Sequence, residues 1–296
     1  MKKRLPLIVA LLLFIVIPLF TQEPNPASDF VVELNSTGDG VIIIRYVGTR
    51  TDVVIPAEIE GFPVLHIGNM AFTPSGTSII VRNPARVSIT SIVFPNTRIT
   101  IGEYAFAGSN LTDVTLPDSI TNIGRGAFSN CLQLESLIIN FGNPNPDWNP
   151  NSLFRNCIKL TTVEFTRGWV VIPTEMFAGC SNLTSINFPD GIRTINNSAF
   201  ENCGFTELTI PEGIEFIALN AFRNNKITNL ILPSTITTIG SCAFQNNGLL
   251  ELVIPESINS VNFGRNIAGR HDAFGGNRLN LRTQALLKNL GYNGNF

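Results

Sequence analysis

The sequence predicts a right-handed solenoid in which each coil supplies one parallel β-strand and a short turn or helical segment. Three observations predict it. A Phe, usually preceded by Ala, recurs at Phe72, Phe106, Phe128, Phe154, Phe177, Phe200, Phe222, Phe244 and Phe274, in steps of 34, 22, 26, 23, 23, 22, 22 and 30 residues. The positions around each Phe repeat as well. Finally, the 296 residues hold 21 Phe against 3 Tyr and 2 Trp, so one aromatic is used again and again at one kind of place.

The frame is clearest in the third coil. Leu111-Thr112-Asp113-Val114-Thr115-Leu116-Pro117 leads to Ile120, Ile123-Gly124, Ala127-Phe128, Cys131 and Leu134. Val114 and Leu116 alternate with Asp113 and Thr115, the period of a half-buried strand. Pro117 has no N–H for a ladder and ends it. Ile120 and Ile123 turn a second wall inward, Gly124 suits a tight corner, and Phe128 fills the interior. One coil cannot bury its own apolar side, so coils must stack, with strands about 4.8 Å apart and a total length of roughly 40 Å. Phe rings would form one column.

Three residues after each Phe from Phe106 onward stands Ser109, Cys131, Cys157, Cys180, Cys203, Asn225, Asn247 or Asn277. A small group able to bond loop backbone fits a corner ladder. Stacking would bring neighbouring cysteines within about 5 Å, inside the disulfide range, so Cys131, Cys157, Cys180 and Cys203 are either buried thiols or neighbour disulfides. Cys242 lies outside that column.

The ends read differently. Met1-Lys2-Lys3-Arg4 precedes an apolar run from Leu5 to Phe20 that is shorter than the ~20 residues of a membrane span. This is the pattern of a secretory signal peptide, assigned to residues 1–22 with cleavage between Thr21 and Ala27; an uncleaved anchor is the alternative. Residues 23–28 form a linker and 29–52 an N-terminal cap, with Gly38-Asp39-Gly40 as a hairpin turn. Repeats occupy 53–280. Residues 281–296 are a C-terminal cap in which Gln284–Leu290 is a short helix ended by Gly291.

On these residues, the chain resembles the BspA-type leucine-rich repeat, whose pattern L-x-x-L-x-L-P-x-x-I-x-x-I-G-x-x-A-F-x-x-C/N-x-x-L runs over about residues 53–280; the entry segment, from Phe30 through Gly38-Asp39-Gly40 to Asp52-Val53-Val54-Ile55-Pro56, resembles the family leader. The resemblance implies an exported surface protein that adheres to host matrix proteins, such as fibronectin and fibrinogen, or to cells. It fixes no binding residue.

Departures mark insertions. Residues 73–91 and 262–272 are extra, the latter carrying Arg265, Arg270 and His271. The fourth coil has Asn140 where Pro is expected and then a Pro/Asn-rich loop with Trp148; the fifth has Thr166 for Pro and Met176 for Ala.

Chemistry is sparse. Net charge −2 with 14% charged residues excludes a broad basic face for nucleic acid, and a hydrophobic share of 44% excludes a disordered chain. Two His and the absence of HExxH, GxSxG, GxGxxG, P-loop and CxxC patterns point away from an enzyme, a metal site or a cofactor. Asp118, Asp190, Glu212 and Glu256 follow the strand-ending prolines and fit a solvated turn rather than calcium loops. Four N-glycosylation patterns, at Asn35, Asn110, Asn182 and Asn196, largely overlap the repeat itself.

Function therefore falls to the outward strand positions: Asp113, Thr115, Thr162, Glu164, Ser185, Asn187, Glu207, Thr209, Asn229 and Ile231, a Thr/Asn-rich, modestly acidic face with Ile138 and Val253 as further apolar points. Trp148 and Trp169 are candidate aromatic anchors. The expected partner is a protein or glycan, bound by a monomeric chain that is secreted, at the cell surface or periplasmic, with no stable membrane span after signal cleavage. A scaffold of the bacterial envelope binding an endogenous partner is the alternative.

Overall fold

The computed structural model describes residues 23–75, 85, 87–142, 150–258, 260–264 and 272–296. The expected signal peptide lies outside the described residues, as do Trp148, Arg265, Arg270 and His271.

The chain is a parallel β-solenoid with a column of nine Phe at its centre, each ring fully buried. Successive rings from Phe72 to Phe274 stand 4.9–5.8 Å apart and are tilted by no more than 20°. Offset-stacked pairs of this kind are worth about 0.5–1.5 kcal/mol each beyond their buried area. Tyr46 closes the column at the N-terminal end, 5.3 Å from Phe72, and Tyr292 closes it at the other, edge-on to Phe274 at 5.6 Å. Each tyrosine leaves its polar tip where backbone can receive it: Tyr46 Oη donates to the Arg50 carbonyl at 2.9 Å and Tyr292 Oη to the Asn295 carbonyl at 2.8 Å.

Two walls flank the column. The first is made by the strands the alternation predicts: Asp52–Val54 with Ser91–Val93; Asp113–Leu116, Ser136–Ile139 and Thr162–Phe165; and Glu207–Thr209, Asn229–Ile231 and Glu251–Val253. Pairing is parallel and in register, so Val114, Leu137 and Val163 form one inward row and Leu208, Leu230 and Leu252 another. The sixth coil, Leu183–Pro189, runs between the two three-stranded sheets without ladder pairing of its own. Where proline is missing, the regained N–H adds a rung: Asn140 donates to Leu116 and Thr166 to Ile139, at 2.9 and 3.0 Å.

The segment after the proline first forms a second wall of β-structure, and the turn of each coil follows it around the Phe, as at residues 125–130. Ile99–Ile101 pairs with Ile120–Ile123, and the short strands Val171–Ile172, Thr194–Ile195, Phe216–Ile217, Thr238–Ile239 and Asn262–Phe263 form a second parallel sheet. The hairpin Phe30–Leu34/Val41–Tyr46 covers this second wall, since Val41–Tyr46 pairs with Phe62–Ile67. The first wall is sealed by Asn25 instead. Its backbone N–H donates to the Val54 carbonyl at 3.0 Å and its side-chain oxygen accepts from Val54 N–H at 2.9 Å, which mimics one more strand. That contact docks the stretch the sequence reads as a linker.

Two corners per coil need left-handed backbone, two residues before and two after the Phe. Asn130, Asn156, Asn202, Asn224 and Asn246 occupy the second corner with φ between 55° and 60°, conformations Asn tolerates better than most residues. Their side chains link coil to coil, Asn246 to Asn224 at 2.9 Å and Asn224 to Asn202 at 3.0 Å. In the first coil this corner falls on Pro74, whose ring fixes φ near −65°, and there the chain leaves the frame into its first insertion. Gly124 is required for a different reason than a turn: a Cβ there would lie 2.6 Å from the Glu103 nitrogen of the previous coil. The α-helix Leu281–Asn289 ends the chain, N-capped by Asn280 and followed by Gly291 at φ 98°.

Candidate functional site

The outward positions named from the sequence lie exposed on the first wall, except Ile138, which is half-buried. Asp113, Thr162, Glu207 and Asn229 stand as first strand residues and Thr115, Glu164, Thr209 and Ile231 two residues on, while Ser185 and Asn187 take the same two places in the repeat of the unpaired sixth coil. Outside the sixth coil their backbones are tied to neighbouring coils by ladder bonds, while their side chains are free of the core. Toward the C-terminal end it dips into a shallow concavity of about 350 Å³ between the Glu207, Asn229 and Glu251 column and the Thr209, Ile231 and Val253 column. Ile231 is 43% and Val253 57% exposed, an apolar strip beside carboxylates. Asn229 donates to Glu207 at 3.4 Å and Asn280 to Glu251 at 3.5 Å.

Trp169 is not on a surface. It is fully buried, its indole N–H donating to the Phe141 carbonyl at 2.9 Å, with Phe141 and Phe165 rings at 5.6 and 5.4 Å. The frame explains this: Trp169 lies three residues after Thr166, as Ile120 lies three after Pro117, so it takes an inward second-wall position. It is a core residue and drops out as an anchor. Trp148 lies outside the described residues.

The remaining polar groups are committed to ladders. Each thiol of the corner column donates to the carbonyl of the preceding coil's Phe: Cys131 to Phe106, Cys157 to Phe128, Cys180 to Phe154 and Cys203 to Phe177, at 3.1–3.3 Å. Asn225, Asn247 and Asn277 make the same bond through Nδ2, to Phe200, Phe222 and Phe244 at 2.8–2.9 Å. All five cysteines are free thiols. Burial pushes the Cys180 thiol up to about 12 and the Cys157 and Cys203 thiols well above their ordinary value. Of the post-proline carboxylates, Asp118 pairs with Arg167 at 3.1 Å and Glu212 accepts from the backbone N–H and hydroxyl of Ser234, bonds that hold its carboxyl below the usual range. No three His, Cys, Asp or Glu side chains converge on a metal site, and no helix is long and apolar enough to cross a membrane, among the described residues.

The sequence reading missed the coil-to-coil Asn ladder two residues after Phe and the docking of Asn25. The first was marked by the recurrence of Asn or Gly at that offset, as in Gly108, Asn130, Asn156 and Gly179.

The chain is similar to several solved bacterial proteins. It is 25% identical to a leucine-rich repeat protein of T. pallidum, over 93% of this chain and 99% of that one, with a TM-score of 0.43. It is 18% identical to a leucine-rich repeat protein of Bacteroides ovatus, over 84% and 91%, with a TM-score of 0.38. It is 16% identical to the pneumococcal vaccine antigen PcpA, over 92% and 98%, with a TM-score of 0.33. No curated protein matches. The family model for the BspA type leucine rich repeat region matches in six copies over residues 85–146 and 148–265. With those copies covering more than half of the chain, and with the Phe column, the in-register strands and the Cys/Asn corner explaining why each repeat position is fixed, this protein belongs to the BspA-type leucine-rich repeat family.

Proposed function

We propose that this is an exported binding protein that holds a protein or glycan partner on its first wall, and that it serves adhesion to host matrix proteins or cells. The carrying observation is the division of labour along each strand. Inward residues are locked into rows, whereas the outward positions from Asp113 to Ile231 make few bonds to the rest of the chain and lie exposed on one face. A surface of this size and polarity suits broad contact rather than capture of a small molecule. The apolar leader following Lys2, Lys3 and Arg4 supports export, and no catalytic step is assigned.

The test is capture on fibronectin- and fibrinogen-coated surfaces, and on envelope material of the parent cell, with the unaltered protein and two variants. Thr115→Trp with Asn229→Trp fills the first wall; Thr121→Trp with Thr237→Trp places the same bulk on the second. Capture by host matrix that only the first-wall variant loses supports the reading. Capture by envelope material alone makes the protein an envelope scaffold, and equal loss in both variants removes the first wall from the account.

A further inference from the structure

Wall ends in this solenoid are met by other segments of the chain, with one exception. At the N-terminal end of the first wall, Asn25 bonds Val54 through both its backbone N–H and its side-chain oxygen. At the C-terminal end, Asn280 N–H donates to the Leu250 carbonyl of the first wall, and Val261 N–H of the second donates to the Leu290 carbonyl after the terminal helix, at 2.7 and 3.4 Å. The N-terminal end of the second wall is the exception. It stops at the strand Phe30–Leu34, which pairs with Val41–Tyr46 on one side and with no other strand among the described residues.

The open side of that strand carries a defined set of backbone groups. Asn35 N–H donates to the Gly40 carbonyl at 2.9 Å, and Val47 N–H to the Asp29 carbonyl at 2.8 Å. Bonding alternates along an antiparallel strand, so Val31 and Glu33 face the hairpin partner while Val32 and Leu34 turn N–H and C=O to the open side. Phe30 adds its carbonyl there, its N–H being taken by the Ala27 carbonyl. Phe-Val-Val-Glu-Leu holds neither the Lys nor the Pro that commonly protects an edge, and Leu34 is 56% exposed. A second observation lies beside this edge. Arg45 makes no hydrogen bond or ion pair among the described residues, and its Nε is buried without a partner. A bulge at Ile44 sets Arg45 next to Val31, on the face opposite the buried Phe30 and Tyr46. Glu33 is exposed on that same face and makes no ion pair either.

We propose that this edge pairs with the same edge of a second copy of the chain, antiparallel and two-fold symmetric, with Val32 opposite the partner's Val32. In that register open groups meet open groups: the two Val32 residues exchange N–H···O bonds in both directions, and each Leu34 N–H reaches the partner's Phe30 carbonyl. Leu34 is covered by the partner's Phe30. Val31 faces the partner's Glu33, and Arg45 lies two strand spacings, about 9.6 Å, from that Glu33, a gap the two side chains close over Val31. Charge selects the register. Centring the pair on Val31 would set Glu33 against the partner's Asp29, and centring it on Glu33 would set the two Glu33 carboxylates together, both unfavourable. The contact occupies the same edge on both copies, so assembly closes at two chains, unlike the monomer expected from the sequence. One short strand per copy makes a small interface, and a dissociation constant on the order of 10 µM is expected. The seam joins second walls and leaves both first walls outside it, so the dimer offers two binding faces to one target surface. It stands whether or not the first wall binds matrix.

Sedimentation velocity on the unaltered protein from about 1 µM to about 200 µM tests this, a range that brackets the expected constant. The mass should rise from one chain to two and stop. Val32→Pro removes an N–H on the open side and none facing the hairpin partner, so it should fold and weaken association about tenfold. Glu33→Arg and Arg45→Glu each place like charges across the seam and should each weaken it about tenfold as well. Mixed in equal amounts, these two variants regain both cross-seam pairs, and the mixture should dimerise within about threefold of the unaltered protein. Glu103→Arg mixed with Arg282→Glu, both exposed elsewhere, should match the unaltered protein alone and together. A chain still monomeric at about 200 µM, growth beyond two chains, or a mixture no tighter than either charge variant alone overturns the inference. Should Val32→Pro not fold, the mixture still decides, because it changes only side-chain charge.

Discussion

A thiol in this protein is defined by what it faces. Cys131, Cys157, Cys180 and Cys203 are buried, each hydrogen-bonded to a Phe carbonyl one coil back, and burial keeps Cys157, Cys180 and Cys203 in the protonated, unreactive form. Cys242 differs, being half-buried at a left-handed corner and donating to Asp272 at 3.2 Å; burial first, and that carboxylate second, raise its thiol. Under native conditions at about pH 8, an alkylating reagent should modify Cys242 slowly and the four column thiols not at all, with all five reacting once denaturant is added. Mass spectrometry of the digest reads this directly, and native labelling of Cys180 would contradict the burial argument. His66 offers a second check. Burial lowers its pKa, and its Nδ1 lies 2.6 Å from Thr100 Oγ1. A depressed folded value means the stabilising contribution is complete above the ordinary value near 6.5 and is lost as pH falls through the folded value. The melting temperature should therefore drop between about pH 7.5 and about pH 5, and His66→Gln should flatten part of that drop.

At the scale of one coil, Asn and Cys do not exchange freely in the corner column. Where the loop after the corner is short, its next N–H has no local acceptor, and the following coil supplies Asn: Phe205 N–H donates to Asn225 Oδ1, Ile227 to Asn247 and Leu249 to Asn277, at 3.0–3.2 Å. Where the loop is one residue longer it folds back on itself, Leu134, Leu160 and Leu183 donating to the carbonyls of Cys131, Cys157 and Cys180, and the following coil carries Cys. Cys131 is the departure, since it follows the short loop Ser109–Leu111. Replacing Asn247 with Cys keeps a donor to Phe222 but strands the Ile227 N–H, which should cost about 1–3 kcal/mol in denaturant unfolding. A smaller loss would mean the loop re-forms locally. The corner column, the strand alternation and the inward Phe were all readable in one dimension, because each depends on spacing within a coil. The pairing of Asn with a short preceding loop was not, because its partner N–H sits one coil away. Trp169, a candidate anchor by residue type, is inward because of its offset from Thr166, which places it as Ile120 is placed after Pro117.

Across the whole molecule, stability is carried by neighbours. Each ring in the Phe column touches the next, each ladder bond joins adjacent coils, and the column ends on Tyr46 and Tyr292 rather than on open faces. A quasi-one-dimensional array of this kind has energies that sum over coils and over the interfaces between them. Removing one central ring, as in Phe177→Ala, deletes contacts on two sides and should cost about 3–5 kcal/mol. Phe200→Ala removes one of the same two interfaces, so the double variant should fall short of the sum by the energy of the shared stack, about 0.5–1.5 kcal/mol. Phe106 lies three rings away from Phe177, with Phe128 and Phe154 between them, so Phe106→Ala with Phe177→Ala should be additive within about 0.5 kcal/mol. Denaturant melts of the singles and both doubles measure this. Strong coupling between the distant pair would mean that the coils unfold and refold as one cooperative block, and that the column transmits strain further than its ring contacts reach.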